Sequence, residues 1–160
     1  MTHDFQYISK RDPQVKKAYG DMMKLLHEVQ KQLRSEFAFQ YRVVGSYARN
    51  MITFDAKSNV GFDFDINIYL SDDSENLKAK ELKLKFKGAL DRLCGSYGFS
   101  PAEDSTRVLT IKVKDRKHSR IVYSVDFAIV NDYLDEDNQP CQEYIRFDKK
   151  QNRHCRMIEQ

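Results

Sequence analysis

Between Asp12 and Glu36 the apolar residues Val15, Ala18, Tyr19, Met22, Leu25, Leu26, Val29 and Leu33 recur at three- and four-residue steps, the signature of one buried helix face. Asp12-Pro13 supplies a cap and a first-turn proline, so the spacing predicts a helix over 12–36. The period then falls to two at Phe37, Phe39, Tyr41 and Val43, predicting a strand that ends at Gly45-Ser46, with a short helix opening at Tyr47-Ala48-Arg49. Residues 50–61 are irregular and polar at their centre. After them Phe62, Phe64, Ile66, Ile68 and Leu70 alternate with Asp63, Asp65, Asn67 and Tyr69, giving a strand with one core face and one face carrying carboxylates.

Ser71-Asp72-Asp73-Ser74-Glu75 offers N-cap and acidic first-turn residues for a second helix reaching Tyr97. Its stretch from Lys80 to Lys87 alternates locally like a strand, but Leu82, Phe86, Ala89, Leu90, Leu93 and Tyr97 keep a helical stripe over the longer window. Gly95-Ser96 reads as the glycine stop of that helix. Val108–Val113 and Ile121–Val130 are β-rich runs joined by a basic turn at 114–119, hence a hairpin. On the second run Ile121, Tyr123, Val125, Phe127 and Ile129 share one face, leaving Asp126 between Ser124 and Ala128 on the other. From Asn131 the chain turns polar and shows no third amphipathic helix. These elements predict an α+β fold: a small mixed β-sheet with helices 12–36 and 75–97 packed on one face and the carboxylates at the other. Without repeats or linkers, 1–160 reads as a single domain.

Composition narrows the class. With 41% hydrophobic residues the chain can build a core, and no apolar run approaches the ~18 residues of a membrane span. The N-terminus lacks a signal-peptide stretch, so a cytoplasmic location is expected. Cys94, Cys141 and Cys155 form an odd set without CxxC spacing, which fits reduced thiols, and His3, His27, His118 and His154 suggest no nucleophilic triad. The net charge of +3 is too small to indicate nucleic-acid binding by itself. Two basic segments remain candidates for phosphate: Lys112, Lys114, Arg116, Lys117, His118 and Arg120, and then Lys149, Lys150, Arg153, His154 and Arg156. A solvated hairpin turn is the commoner explanation of the first.

Carboxylates at i and i+2 on a strand project to the same face, and their like charges are costly to bring together without a cation between them. Asp63 and Asp65 meet that condition, and Asp126 on another strand can complete a three-carboxylate cluster of the kind that holds Mg²⁺. Gly45-Ser46, at a strand end opening a short helix, offers backbone N–H groups, a hydroxyl and close approach for a polyphosphate. The parts alone are unspecific: with 16 Asp in 160 positions, a DxD arises by chance once or twice, and it occurs at Asp63/Asp65 and at Asp135/Asp137. Order discriminates, because only the first pair lies on a strand that follows a Gly-Ser turn and precedes a second strand with one acid.

In that order, ValValGlySerTyrAlaArgAsn (43–50), GlyPheAspPheAspIleAsnIle (61–68) and SerValAspPheAlaIle (124–129) resemble the nucleotidyltransferase superfamily typified by DNA polymerase beta. The wording GlySerTyrAlaArg is most similar to the branch of oligoadenylate synthetases and bacterial cyclic-oligonucleotide synthases. The resemblance implies that Gly45 and Ser46 hold an NTP's triphosphate; Arg49 beside them is a candidate phosphate contact, with a plain helix-surface arginine as the alternative. It further implies that Asp63, Asp65 and Asp126 hold metal ions, two Mg²⁺ with Mn²⁺ as the alternative, and that an acceptor hydroxyl attacks the α-phosphorus with release of pyrophosphate.

Two departures accompany it. Sixteen residues (47–62) separate Ser46 from Asp63, an insertion around Phe54–Val60 by the family's usual spacing. The synthase branch also carries a C-terminal helical region that grips base and acceptor, whereas here the sequence to Gln160 is polar and basic. The expectation is a fragment, a truncated product or a minimal core that borrows a protein partner; the acceptor is open. Two other readings stay in play: a non-catalytic nucleotide-binding domain of the same fold, and a nucleic-acid-binding module.

Overall fold

The computed structural model describes residues 5–55, 61–70, 79–105, 108–134, 136–148 and 153–159. Helix α1 (Pro13–Leu33) begins where Asp12 accepts a 2.9 Å bond from the Gln14 N–H, satisfying one of the donors a helix start leaves open. Seven of the eight predicted stripe positions are buried, Val15, Ala18, Met22, Leu25, Leu26, Val29 and Leu33, and the eighth, Tyr19, is partly buried against the core. Strand β1 (Phe5–Tyr7) precedes it and pairs antiparallel with β3 (Thr53–Asp55), so part of the segment read as irregular is a short strand whose partner lies at the N-terminal end.

Strands β2 (Phe39–Val44), β4 (Phe62–Leu70), β5 (Glu103–Asp104), β6 (Leu109–Asp115) and β7 (Arg120–Leu134) form a mixed sheet in the order β2-β4-β7-β6-β5. β4 and β7 run parallel, and β2–β4 and β6–β7 are antiparallel. A parallel neighbour needs a long crossover, which here passes through α3 (Ala79–Cys94). Phe62, Phe64, Ile66 and Ile68 on β4, Tyr123, Val125, Phe127 and Ile129 on β7, and Leu109 and Ile111 on β6 are buried together with the stripes of α1 and α3. Burying each large side chain of this layer stabilises the fold by about 1.5–3 kcal/mol relative to exposure. The helices therefore cover one sheet face, as the alternation predicts, and the acids lie on the other.

Helix α3 settles the 80–87 ambiguity: Leu82, Phe86, Ala89 and Leu90 are buried at helical spacing. Lys83 is buried with them because its ammonium pairs with Asp104 at 2.6 Å and donates to the Ser105 carbonyl at 2.8 Å. The expected start of this helix at 71–75 lies outside the described residues. Its end differs from expectation: Gly95–Tyr97 continues as a 3-10 turn, and the left-handed stop is Gly98 (φ 81°), not Gly95.

The polar tail is not irregular. β7 continues past Val130 to Leu134 and pairs with β8 (Pro140–Asp148), which pairs in turn with β9 (Arg153–Glu159). Sequence from Asn131 lacks sustained period-two alternation, so its strands arise from pairing rather than pattern. Among the described residues no helix is long and apolar enough to cross a membrane.

Candidate functional site

Register assembles the acids. Asp65 and Asp126 are direct Cα partners in the parallel β4–β7 pair, and Asp63 lies opposite Ser124. Because Phe62, Phe64 and Ile66 are committed to the core, period two forces Asp63 and Asp65 onto the opposite face. One carboxylate oxygen from each of Asp63, Asp65 and Asp126 lies within 4.8 Å of the others. Across four strands the row reads Val44, Asp65, Asp126, Thr110, and Thr110 closes it by donating its hydroxyl to Asp126 Oδ1 at 2.5 Å.

Three like charges this close disfavour one another. Desolvation, then the Asp63 and Asp126 charges, push the Asp65 carboxyl up to about 6, and Arg49 partly offsets this. Desolvation, then the charge of Asp126, also raises Asp63, against a hydrogen bond from its own backbone. A hard divalent cation bound by oxygen ligands relieves that repulsion, and an all-carboxylate set suits Mg²⁺ or Mn²⁺ rather than a thiolate-seeking metal. The donor chemistry therefore fits the implied ion.

Gly45 enters at the edge of this cluster. Helix α2 (Gly45–Ala48) starts from extended Val44, and Gly45 has φ 71°, the left-handed region that favours glycine. A Cβ at Gly45 would overlap the Asp65 carboxylate, so the turn and the acid are in contact. Ser46 falls inside the short helix, which starts at Gly45, two residues before the expected opening at Tyr47, and its hydroxyl makes no hydrogen bond among the described residues. The first N–H groups of such a turn have no intrahelical acceptor. Tyr47 fixes α2 to the core by stacking on Tyr19 (5.0 Å between centroids, 11° between planes) and meeting Phe64 edge-on. Lys10 covers the Tyr47 ring at 4.3 Å. Arg49 is exposed at the end of α2, near enough to act on Asp65.

The structure thus brings Gly45, Ser46, Arg49, Asp63, Asp65 and Asp126 to one end of the polar sheet face. Asp135, of the second DxD, lies outside the described residues. Thr110 was missed, although it is the polar residue between Leu109 and Ile111 on a predicted strand and so had to share the acid face. Cys94 is a buried free thiol whose desolvation, with the Asp91 charge, pushes it up to about 12, far from nucleophilic or ligating use. The basic hairpin is partly neutralised: Lys112 pairs with Glu103 at 2.8 Å, and Asp115 takes His118 at 2.8 Å and Arg120 at 3.2 Å.

No family model and no curated protein sequence matches the chain. Solved structures do. The CD-NTase CdnG of Bradyrhizobium diazoefficiens, in complex with GTP, superposes with a TM-score of 0.61 at 18% identity, over 88% of this chain and 37% of that one. The cyclic AMP-GMP synthase DncV of Vibrio cholerae gives 0.57 at 14% identity, over 92% and 40%. The cyclic dinucleotide synthase CdnE of Elizabethkingia meningoseptica gives 0.52 at 14% identity, over 94% and 50%. The chain shares the fold of these CD-NTase and cyclic-dinucleotide synthase structures. It spans half or less of their length.

Proposed function

We propose that this chain is a nucleotidyltransferase core that uses divalent metal and moves an NMP from an NTP to an acceptor hydroxyl. The observation that carries the reading is the three-carboxylate cluster built across β4 and β7 with the Gly45 turn packed directly on Asp65. In this reading Asp63, Asp65 and Asp126 hold the metal, and the N–H groups of the α2 turn with the Ser46 hydroxyl bind the triphosphate. Arg49 adds a positive charge at the phosphate side. A bound divalent ion supplies charge neutralisation at the attacking and leaving oxygens. The chain's own part is to hold the α-phosphorus in line with the acceptor oxygen, so that a new P–O bond forms as the bond to pyrophosphate breaks. The rigid β4–β7 register fixes the acids, and Thr110 orients Asp126.

The reading is supported by fold, by cluster geometry and by the GTP and ATP-analogue complexes among the similar structures. Transfer of label from each α-labelled NTP, with Mg²⁺, compares wild type with Asp63→Ala and Asp65→Ala. Transfer in the wild type and loss in both variants is expected; equal transfer in all three removes the site assignment. A second reading keeps the fold and the acid cluster without transfer: a nucleotide-binding domain that acts with a partner. Calorimetric binding of NTP with Mg²⁺, without pyrophosphate release, selects it.

A further inference from the structure

The β6–β7 hairpin end carries an open concavity of about 310 Å³ lined by Lys114, Asp115, Arg116, Ser119, Arg120 and Ile121. This is at the small end of ligand pockets. Three of the six lining residues are cationic and one is anionic. Asp115 is not a free counter-charge: it is engaged by His118 Nδ1 at 2.8 Å and by Arg120 Nε at 3.2 Å. The Arg120 bond uses Nε alone and holds the guanidinium in place, leaving its terminal amino groups without a partner among the described residues. Lys114 and Arg116 make no ion pair among the described residues. Where the register shifts between Val113 and Lys114, Val122 of β7 is left without a partner, an irregularity that breaks the ladder at the base of the hairpin, and Ser119 at φ 49° turns the chain back into β7. The pocket is therefore shaped by the backbone, with a positive lining and one pre-oriented guanidinium fork, the group that suits phosphate oxygens.

We propose that this hairpin pocket is a second anion site, separate from the acid cluster, that takes a compact oligophosphate: inorganic di- or triphosphate, or the phosphate tail of a nucleotide. Arg120 and Asp126 are six positions apart on one strand, or ~20 Å at about 3.3 Å per residue, so one triphosphate does not occupy both sites. A compact ligand fits better than a polynucleotide because Lys112, the nearest cation along β6, is already paired with Glu103 and does not extend the positive surface.

The test is calorimetric titration of the full chain carrying Asp63→Asn and Asp65→Asn, in chelator, with inorganic triphosphate and separately with ATP. Neutralised acids and absent metal remove the metal-dependent binding at the cluster, and any binding left at the α2 turn is insensitive to the hairpin substitutions, so the loss they cause reads the hairpin whether or not the nucleotidyltransferase reading holds. One-site saturable binding is expected, weakened at least about tenfold by Lys114→Gln with Arg116→Gln. Lys117→Gln, a cation of the same turn outside the pocket lining, leaves it within about twofold. Inorganic triphosphate and ATP binding alike identify the phosphates as the recognised group; tighter binding of ATP adds a base contact and still supports the site. Overturning results are absence of saturable binding, an equal loss in Lys117→Gln, or binding only of a single-stranded oligonucleotide. Thermal melts of the hairpin variants within about 2 °C of the parent show that the fold is intact.

Discussion

Asp65→Asn separates the cost of the acid cluster from its use. The substitution keeps shape and removes one negative charge. A carboxyl held at about 6 in the fold, against 3.8 for a free one, binds protons more readily folded than unfolded. Its ionisation therefore destabilises the metal-free fold: the cost is full above pH ~6, fades between ~6 and ~4, and is absent below. For a fully buried group the difference is worth ~3 kcal/mol. Asp65 is only partly buried, and solvent screening reduces this to about 1 kcal/mol. In chelator at pH 7.5, Asp65→Asn should melt about 2–4 °C above wild type, and the gap should narrow to about a third as the pH falls to 4.5. With Mg²⁺ the order should reverse, because the wild type gains from binding and the variant loses a ligand. Scanning calorimetry reads all three. A variant that melts at or below wild type in chelator, or a gap undiminished at pH 4.5, refutes the argument that these charges repel across β4 and β7.

Three further substitutions probe other parts. Gly45→Ala forces a Cβ against Asp65 at φ 71° and should cost about 2 kcal/mol in urea denaturation, with loss of metal-dependent NTP binding. Thr110→Val removes the hydroxyl bond to Asp126 with little change of volume; Mn²⁺ affinity by titration should fall about tenfold while the melting temperature moves little. Asp104→Ala strips the ion-pair partner of buried Lys83 and should destabilise by about 1–3 kcal/mol, whereas Lys83→Met should be close to neutral.

Legibility in the sequence followed how local the cause was. The α1 stripe, its Asp12 cap and the β4 alternation are set by spacing alone, and they recur in the structure with only Tyr19 and Leu70 partly rather than fully buried. The acid face was legible for the same reason, since period two sends Asp63 and Asp65 away from Phe62 and Phe64. The meeting of Asp65 with Asp126 was only an expectation, because parallel register between distant strands leaves no local mark. β3 escaped notice since its partner, β1, lies some fifty residues away. The β8–β9 pair escaped for want of alternation, and Gly98 displaced Gly95 because a 3-10 turn carried the chain one more turn before its left-handed stop. Thr110 was readable from strand parity but carries no charge to draw attention.

The claim at the centre is that Asp63, Asp65 and Asp126 act together to bind nucleotide through a divalent ion. Calorimetric titration of NTP into the full chain, with and without Mg²⁺, tests it, comparing wild type with Asp63→Asn and with Asp126→Asn. The chelator-resistant hairpin contribution is subtracted by running each protein with Lys114→Gln and Arg116→Gln. The account predicts Mg²⁺-dependent binding in the parent that falls at least about tenfold in either acid variant. Binding that ignores Mg²⁺, or that survives both acid substitutions unchanged, contradicts it.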